Sequence, residues 1–283
     1  MVKRVLLFVL AAVLLLVLAV VGMLVYQGKQ PPDTSGEYVA LGSSFAAGAG
    51  LGPRAPGSPL VCMRSSRGYP QLLAAMTGLS LVDMSCSGST TEHILHGGQV
   101  FLGPQLAAVG PDTRLVTITS GGNDVDYIGD LIFTAKAQGW LAKRFWKGPK
   151  PLASRDFTNV ENNMRRIATV IKQRAPHAVI VFASYPTVVP PQGTCPALGI
   201  DEKTAALARQ VGARLDKVTR DAAEQSGALF VDMGGAGHDA CSSEPWINGA
   251  EPKQGMAFHP NATGAKAVAE AVDKVLADHS PPR

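Results

Sequence analysis

The sequence predicts an α/β protein in which helices cover both faces of a five-stranded parallel sheet. Five short runs of apolar and β-branched residues recur along the body of the chain, and helical patterns lie between them. Because parallel strands need a long crossover connection, this alternation favours a parallel sheet. A further observation, an uncharged apolar run at the N-terminus, predicts one separate helix ahead of the sheet.

The N-terminal run extends from Val5 to Tyr26, 22 residues without a charge. A helix of this length measures roughly 33 Å and can cross a hydrocarbon core of about 30 Å. Lys3 and Arg4 precede the run, so the positive-inside rule keeps the N-terminus in the cytoplasm and places the body outside. A cleaved signal peptide is the alternative, although it usually has a shorter apolar core and a small-residue cleavage site.

We therefore expect a signal anchor or signal peptide over residues 1–30, a linker over 31–36 and one domain over 37–283. Three of the 26 basic residues and none of the 22 acidic residues precede residue 31, so the body is nearly neutral. A nucleic-acid-binding body is excluded, because it would need clustered Lys and Arg. Disorder is excluded as well, because the body is rich in apolar residues.

The sequence also locates the individual elements. The predicted strands are Tyr38–Leu41, Leu79–Met84, Arg114–Thr119, Ala178–Ala183 and Ala228–Val231. The helical patterns are Tyr69–Met76, a stretch near Pro104–Val109, Phe157–Arg174, Glu202–Gln225 and Ala262–Ala277. Pro176 ends the third of these helices, since proline cannot continue a helix. Asp201 is a suitable N-cap for the fourth helix, and Gly227 is a suitable residue after its end.

The segment 131–154 does not follow this alternation. It contains Trp140, Phe145 and Trp146 among five basic residues. One hypothesis is an interfacial element or lid that approaches lipid. The hypothesis that we favour is an ordinary excursion with solvated basic side chains.

Four cysteines, Cys62, Cys86, Cys195 and Cys241, fit an exported protein. Their spacing lacks the paired C-x₂₋₄-C pattern of zinc sites. An even number predicts two disulfides, with three connectivities open. The layout favours Cys62–Cys86, in the loops after the first two strands, and Cys195–Cys241, in the loops after the last two.

Polar loops follow all five predicted strands, at the sheet edge where ligands bind in open parallel sheets. These loops contain Gly42–Gly48, Ser85–Thr91, Ser120–Asp124, Ser184–Pro186 and Phe258–Asn261. In the first of them a Ser lies on the turn between a strand and a helix. Such a Ser is held outward, near the positive end of the helix dipole.

Four pieces of these loops, in this order, resemble the SGNH (GDSL-type) hydrolase family. They are Gly42-Ser43-Ser44 with Gly48, Ser87-Gly88, Gly121-Gly122-Asn123-Asp124 and Phe258-His259-Pro260-Asn261. The resemblance spans nearly the whole body and is greatest to the secreted, disulfide-containing bacterial esterases and lipases. It implies a flavodoxin-like three-layer α/β/α sandwich. It also implies a serine esterase or lipase that hydrolyses carboxylic esters through an acyl-enzyme, with no metal and no cofactor.

The resemblance assigns Ser44 as the nucleophile and His259 as its general base. The backbone N–H groups of Ser44 and Gly88 and the side-chain amide of Asn123 would form the oxyanion hole. A Ser hydroxyl needs a neighbouring imidazole to take its proton. Fixed donors then stabilise the charge that develops on the carbonyl oxygen. His238 is a competing candidate base. His93 and His96 with Glu92 could indicate a metal site, but we expect these side chains to be solvated.

Two positions depart from the family pattern. Ser43 stands where the family has an Asp before the nucleophile, and Met256 stands where it has an acidic residue before the histidine. A carboxylate normally fixes the histidine tautomer. We therefore expect a Ser44–His259 dyad in which a backbone carbonyl near Met256 accepts the Nδ1 proton, with an acid from elsewhere in the chain as the alternative.

The expected partners are a small-molecule ester or lipid and the membrane through the N-terminal helix, with no nucleic acid. We expect a monomer outside the cytoplasmic membrane, anchored by the helix or secreted if the helix is cleaved. Two alternative functions remain open. One is a carbohydrate or cell-envelope O-acetyl esterase, and the other is a catalytically silent envelope-binding protein on the same fold.

Overall fold

The computed structural model describes residues 2–136 and 145–279. Its sheet has five parallel strands: β1 (Tyr38–Gly42), β2 (Leu81–Asp83), β3 (Leu115–Thr119), β4 (Val179–Ala183) and β5 (Leu229–Val231). The spatial order is β2-β1-β3-β4-β5. This is the order of flavodoxin-like folds, so the predicted fold class is confirmed.

Helices lie before, between and after the strands. They are α1 (Val2–Lys29), α2 (Ser44–Ala47), α3 (Tyr69–Thr77), α4 (Thr91–His96), α5 (Tyr127–Lys136), α6 (Phe157–Arg174), α7 (Glu202–Gln225) and α8 (Ala262–His279). The carboxylates of Asp156 and Asp201 cap α6 and α7 by accepting hydrogen bonds from backbone N–H groups. Both helices have the predicted bounds.

Each strand divides its side chains between two cores. In β1, Val39 and Leu41 belong to a core shared with α6 and α7. Tyr38 and Ala40 belong to a second core, shared with α3 and α8. Because neighbouring residues of a strand face opposite sides, the sheet is buried on both faces and the molecule has three layers.

Several elements differ from the sequence-based expectations. Strand β2 is shorter than the predicted Leu79–Met84. The helical pattern near Pro104–Val109 is a 3₁₀ turn, Gln105–Ala108, because such a short segment forms the tighter helix more readily. The short helices α4 and α5 were not predicted.

The segment 131–154 is only partly described. Its first residues complete α5, and the ring of Trp146 stacks on that of Phe133, with centroids 5.4 Å apart. Phe145 is exposed. Trp140, which the lid hypothesis also used, lies outside the described residues.

Two disulfides hold the strand-end loops. Cys62 is bonded to Cys86 and Cys195 to Cys241, as the layout predicts. The first joins the 3₁₀ turn Leu60–Cys62 to the loop after β2. The second joins the loop after β4 to the loop after β5. Each bond therefore fixes one loop at the carboxyl edge of the sheet to another.

Helix α1 precedes the sandwich and contacts little of it. Within Arg4–Lys29, an 18-residue window has a mean hydropathy of 3.3 and is not buried, whereas Leu24, Val25, Gln27 and Gly28 near the end of the helix are half-buried. Its length and composition suit a membrane span and equally suit a signal sequence. Residues 31–36 then lead into β1.

Candidate active site

Ser44 is the first residue of α2, immediately after β1. The turn that carries it needs glycine at position 42, where φ is 138° and a Cβ atom would collide with the Thr119 carbonyl oxygen. The next residue, Ser43, donates its backbone N–H to that same carbonyl, at 3.0 Å. The turn that carries Ser44, the candidate nucleophile, is thus fixed against the end of β3. Ser44 itself is only 7% exposed.

His259 lies at the other end of the chain, just before α8. Its backbone carbonyl accepts the Asn248 N–H at 2.9 Å, and the next residue, Pro260, forms an antiparallel bridge with Ile247. Phe258 is fully buried and adopts φ 58°, a left-handed conformation that is rare for a side chain of this size. The histidine is thus held by a tightly fixed loop.

The two side chains meet at hydrogen-bond distance. The Nε2 atom of His259 lies 2.8 Å from Ser44 Oγ, and the Nδ1 atom lies 2.7 Å from the carbonyl oxygen of Ala257. A carbonyl can only accept a hydrogen bond, so it selects the tautomer with the proton on Nδ1. Nε2 is then unprotonated and accepts the Ser44 hydroxyl proton. This geometry is that of a nucleophile paired with its general base.

The carbonyl that orients His259 comes from Ala257, next to Met256. The Met256 carbonyl instead accepts hydrogen bonds from Asn248 Nδ2 and from the His259 backbone N–H. Within residues 2–136 and 145–279 no carboxylate forms an ion pair or hydrogen bond with His259. Burial lowers the pKa of His259, and the hydrogen bond to Ala257 opposes this only in part. The imidazole is therefore neutral, as a base must be.

Gly88 lies in a loop that is fixed on both sides. The backbone N–H of Ser87 donates to the Cys62 carbonyl at 3.0 Å, and the side chain of Gln99 donates to the Ser87 carbonyl at 2.7 Å. Gly88 has φ 81°, which favours glycine over any other residue. The loop therefore presents its backbone in one fixed conformation.

Asn123 is held by the same loop. Its Nδ2 donates to the Ser89 carbonyl at 2.8 Å, which fixes the amide plane and leaves its second N–H for another acceptor. The next residue, Asp124, accepts hydrogen bonds from the backbone N–H and the hydroxyl of Thr91. Burial raises the pKa of Asp124, and these bonds to Thr91 oppose that effect. Asp124 thus organises the loop that presents Asn123.

Gln105, which the sequence did not indicate, connects the turn after β1 with this loop. Its Oε1 accepts the Gly42 backbone N–H at 2.8 Å, and its Nε2 donates to the Gly42 carbonyl at 3.0 Å and to Ser89 Oγ at 2.9 Å. Ser89 is also the residue that holds Asn123. The buried side chain of Gln105 therefore links the end of β1 with the loop after β2. Through Ser89 it is also linked to Asn123, in the loop after β3. The sequence signal that could have indicated Gln105 is its polar side chain within the uncharged run 97–111.

Tyr185 was also missed as a site residue, although its loop was noted. Its hydroxyl lies 3.1 Å from Ser43 Oγ and accepts the Gly122 backbone N–H at 3.1 Å. Burial raises the pKa of Tyr185 to about 12, so the phenol stays protonated. Ser43, in the place of the family's Asp, thus connects the turn that carries Ser44 to the loop of Asn123 through a neutral hydroxyl pair.

The other candidate residues lie in different surroundings. The ring of His238 stacks on that of Trp246, with centroids 4.0 Å apart, and its Nδ1 lies 2.9 Å from the Glu244 carbonyl oxygen, whereas the histidine that contacts Ser44 is His259. His93 joins the cap of α4 through Thr90, and His96 lies 3.7 Å from Glu92. In the part of the chain that the structure describes, no group of three or more potential metal ligands is present.

The chain has close relatives among known proteins. Residues 40–267 match the family of GDSL-like lipases and acylhydrolases. Lipase 2 of Streptomyces coelicolor is 33% identical over 258 residues, which cover 85% of each chain. The crystal structure of an extracellular lipase from Streptomyces rimosus superposes with a TM-score of 0.69 and 32% identity, covering 84% of this chain and 98% of the lipase. The crystal structure of a phospholipase A1 from Streptomyces albidoflavus NA297 superposes with a TM-score of 0.67 and 26% identity. The match covers 87% of this chain and 100% of the phospholipase.

Proposed function

Since the chain belongs to the GDSL-like lipase and acylhydrolase family and is a carboxylic ester hydrolase, we propose that Ser44 and His259 form its catalytic dyad. The observation that carries the proposal is the 2.8 Å contact between His259 Nε2 and Ser44 Oγ, with Nδ1 held by the Ala257 carbonyl. This arrangement also argues against a catalytically silent binding protein.

In the proposed first step, Ser44 Oγ attacks the ester carbonyl carbon while His259 Nε2 takes the hydroxyl proton. The carbonyl oxygen becomes an oxyanion, which accepts hydrogen bonds from the N–H groups of Ser44 and Gly88 and from Asn123 Nδ2. The intermediate collapses to an acyl-enzyme, and the departing alcohol takes the proton from His259. A water molecule, deprotonated by His259, then releases the acid.

The Ala257 carbonyl does part of what a carboxylate does in a triad. It fixes the tautomer and ring orientation of His259, but it is a neutral dipole. It therefore stabilises the imidazolium less than a carboxylate would. We infer that the dyad works with a less basic histidine than an acid-containing triad has.

Long-chain lipid esters are the proposed substrates. The relatives named lipase and phospholipase A1 support this class. Hydrolysis rates for p-nitrophenyl esters from acetate to palmitate test it. Activity that increases with chain length supports a lipase, whereas activity confined to acetate would indicate an O-acetyl esterase.

We propose that residues 1–30 remain as an anchor, residues 31–36 form a linker, and residues 37–283 form the hydrolase domain on the outer side of the membrane. The two disulfides and the resemblance to an extracellular lipase support an extracytoplasmic location. Length, hydropathy and the preceding Lys3 and Arg4 support retention of the helix. We expect a monomer.

The Ser44→Ala variant tests the assignment. It should lower kcat for p-nitrophenyl butyrate by about six orders of magnitude, because the nucleophile is lost. The thermal unfolding midpoint should be unchanged. Ser43→Ala is the matched control and should retain labelling by a fluorophosphonate, which Ser44→Ala loses. Substantial hydrolysis by a clean Ser44→Ala preparation would refute the role of Ser44.

A further inference from the structure

The last turns of α1 pack against the hydrolase domain. Leu24, Val25, Gln27 and Gly28 are half-buried, whereas most of the helix is exposed. Their partner is the 3₁₀ turn Gln99–Phe101. The contact is close, since a Cβ atom on Gly28 would collide with the Phe101 carbonyl oxygen. The helix therefore meets the domain at one defined place.

This contact fixes the depth of the turn relative to a membrane that α1 spans. Gly28 lies two residues beyond Tyr26, the last residue of the apolar run, which is about 3 Å along the helix axis. Leu24 and Val25 lie inside the run and are still partly covered. The turn Gln99–Phe101 is thus level with the boundary between the acyl chains and the headgroups.

Exposed apolar residues lie at this contact and in the segment 55–63, which one loop joins to it. Phe101 is 57% exposed, Leu60 55%, Met63 42% and Val100 40%. Hydrogen bonds join both segments to one loop, because Cys62 accepts from Ser87 N–H and Gln99 donates to the Ser87 carbonyl. We call Leu60, Met63, Val100 and Phe101 the anchor-side surface. The segments that carry it, residues 55–63 and 97–111, contain no charged residue.

Two of these side chains belong to residues with a strained backbone conformation. Val100 and Phe101 adopt φ 46° and 69°, two consecutive left-handed residues. This conformation is unfavourable for bulky residues, and for a β-branched valine above all. Backbone strain of this kind often accompanies function. Here it exposes two apolar side chains beside the C-terminal end of α1.

A cavity of about 750 Å³ lies between α1 and the loop of Gly88. Its lining includes Gly28, residues 55–59, Cys86 and Gln99, together with the charged residues Asp33, Arg64 and Asp83. Ser44, His259 and the four residues of the anchor-side surface do not line it. The cavity therefore lies beside the segments that carry the anchor-side surface and reaches the loop that holds Gly88.

We propose that the anchor-side surface inserts into the outer leaflet of the membrane that α1 spans and delivers lipid esters from that leaflet to the site. The proposal rests on the retained anchor and the lipid substrate proposed above. An uncharged, partly aromatic surface at the level of the headgroups matches the interfacial preference of such residues. The partner is the bilayer and not a second copy of the chain, because the anchor itself holds this face against the lipid.

The double variant Val100→Asn/Phe101→Asn tests the proposal in the full chain. Asparagine accepts left-handed backbone conformations better than valine or phenylalanine, so folding should be preserved. The protein is reconstituted into vesicles of diether phosphatidylcholine, which it cannot hydrolyse. Hydrolysis of p-nitrophenyl palmitate in the bilayer is compared with hydrolysis of p-nitrophenyl acetate in water. The matched control is Met76→Asn/Val179→Asn, which removes two exposed apolar side chains outside the anchor-side surface and outside the segment 131–154.

The variant should lose about tenfold or more of the palmitate rate, since transfer of Val and Phe side chains from water is worth more than that factor. Its acetate rate should stay within about twofold, and the control should keep both rates. An unchanged palmitate rate, an equal loss on both substrates, or a loss confined to the control would overturn the proposal. A change from dimer to monomer in detergent would assign the surface to a second copy. A wild type inactive on both esters would instead refute the proposed function.

Discussion

His259 obtains its orientation from a peptide carbonyl and its pKa from burial. The Ala257 carbonyl holds Nδ1, while the surrounding protein penalises the charged imidazolium. Both influences are local and involve no ionised partner. The properties of the proposed base are therefore set by backbone geometry and desolvation.

The first residue-scale prediction concerns pH. Because the pKa of His259 is lowered from its ordinary value of about 6.5, the base stays unprotonated to a lower pH. The kcat/KM for a soluble ester should rise with pH, reach half its maximum below pH of about 6.5, and be constant near neutrality. Met256→Ala should leave the profile unchanged, because the carbonyl on Nδ1 belongs to Ala257. A midpoint above about 7 would contradict this account.

The second residue-scale prediction concerns Gln105, which acts as a positioning residue. Gln105→Glu keeps the acceptor for the Gly42 N–H but removes both donated hydrogen bonds. We expect kcat to fall about 10–100-fold with KM little changed, since small misplacements of catalytic groups have effects of this size. Gln254→Glu, on the surface, is the matched control. If Gln105→Asn and Gln105→Glu lose kcat to the same extent, and if each loss is matched by a loss of thermal stability, the role of Gln105 is purely structural.

The residues that the sequence identified differ in kind from those it missed. Ser44 and His259 lie in short motifs at strand ends, where local sequence indicates chemistry. Gln105 and Tyr185 act on residues 63 and 142 positions away. No local pattern encodes such contacts, because they depend on how the strands are ordered in the sheet.

At the scale of elements, the loops at the carboxyl edge are fixed in pairs. The disulfide Cys62–Cys86 lies next to Gly88, and Cys86 also donates its backbone N–H to the Gly42 carbonyl at 3.0 Å. The disulfide Cys195–Cys241 joins loops on the far side of the sheet. Only the first directly braces the proposed oxyanion loop.

Paired removal of the disulfides tests this difference. Cys62→Ser/Cys86→Ser and Cys195→Ser/Cys241→Ser should each lower the free energy of unfolding by about 2–4 kcal/mol. Only the first should also lower kcat for p-nitrophenyl acetate, because it loosens the loop of Gly88. Chemical denaturation and steady-state kinetics measure the two effects. An equal loss of kcat in both variants would contradict the assignment.

The elements that the sequence predicted well are the long ones. The bounds of α6 and α7 follow from capping aspartates and from sustained periodicity. The short helix α4 contains too few residues for periodicity to be visible. Tertiary contacts stabilise it, so local sequence alone could not locate it.

At the scale of the whole molecule, one apolar helix is joined to a nearly neutral domain. If α1 is retained, the full chain should stay with the membrane fraction after alkaline carbonate extraction. Replacing Leu14 and Leu15 with lysine should release it, since each charge at the centre of a span costs about 3 kcal/mol. Immunoblotting with an N-terminal tag distinguishes anchoring from cleavage. Loss of the tag from the wild type would show that the helix is a cleaved signal.

The pairing of Ser44 with His259 joins residues 215 positions apart. A chain is synthesised from its N-terminus, so the nucleophile emerges early and its base almost last. The preceding fragments, however well folded, hold a serine without a base. With the proposed dyad, hydrolytic activity begins only when the segment just before α8 has docked. The order of the chain therefore makes the pairing of the proposed nucleophile with its base one of the last steps of folding.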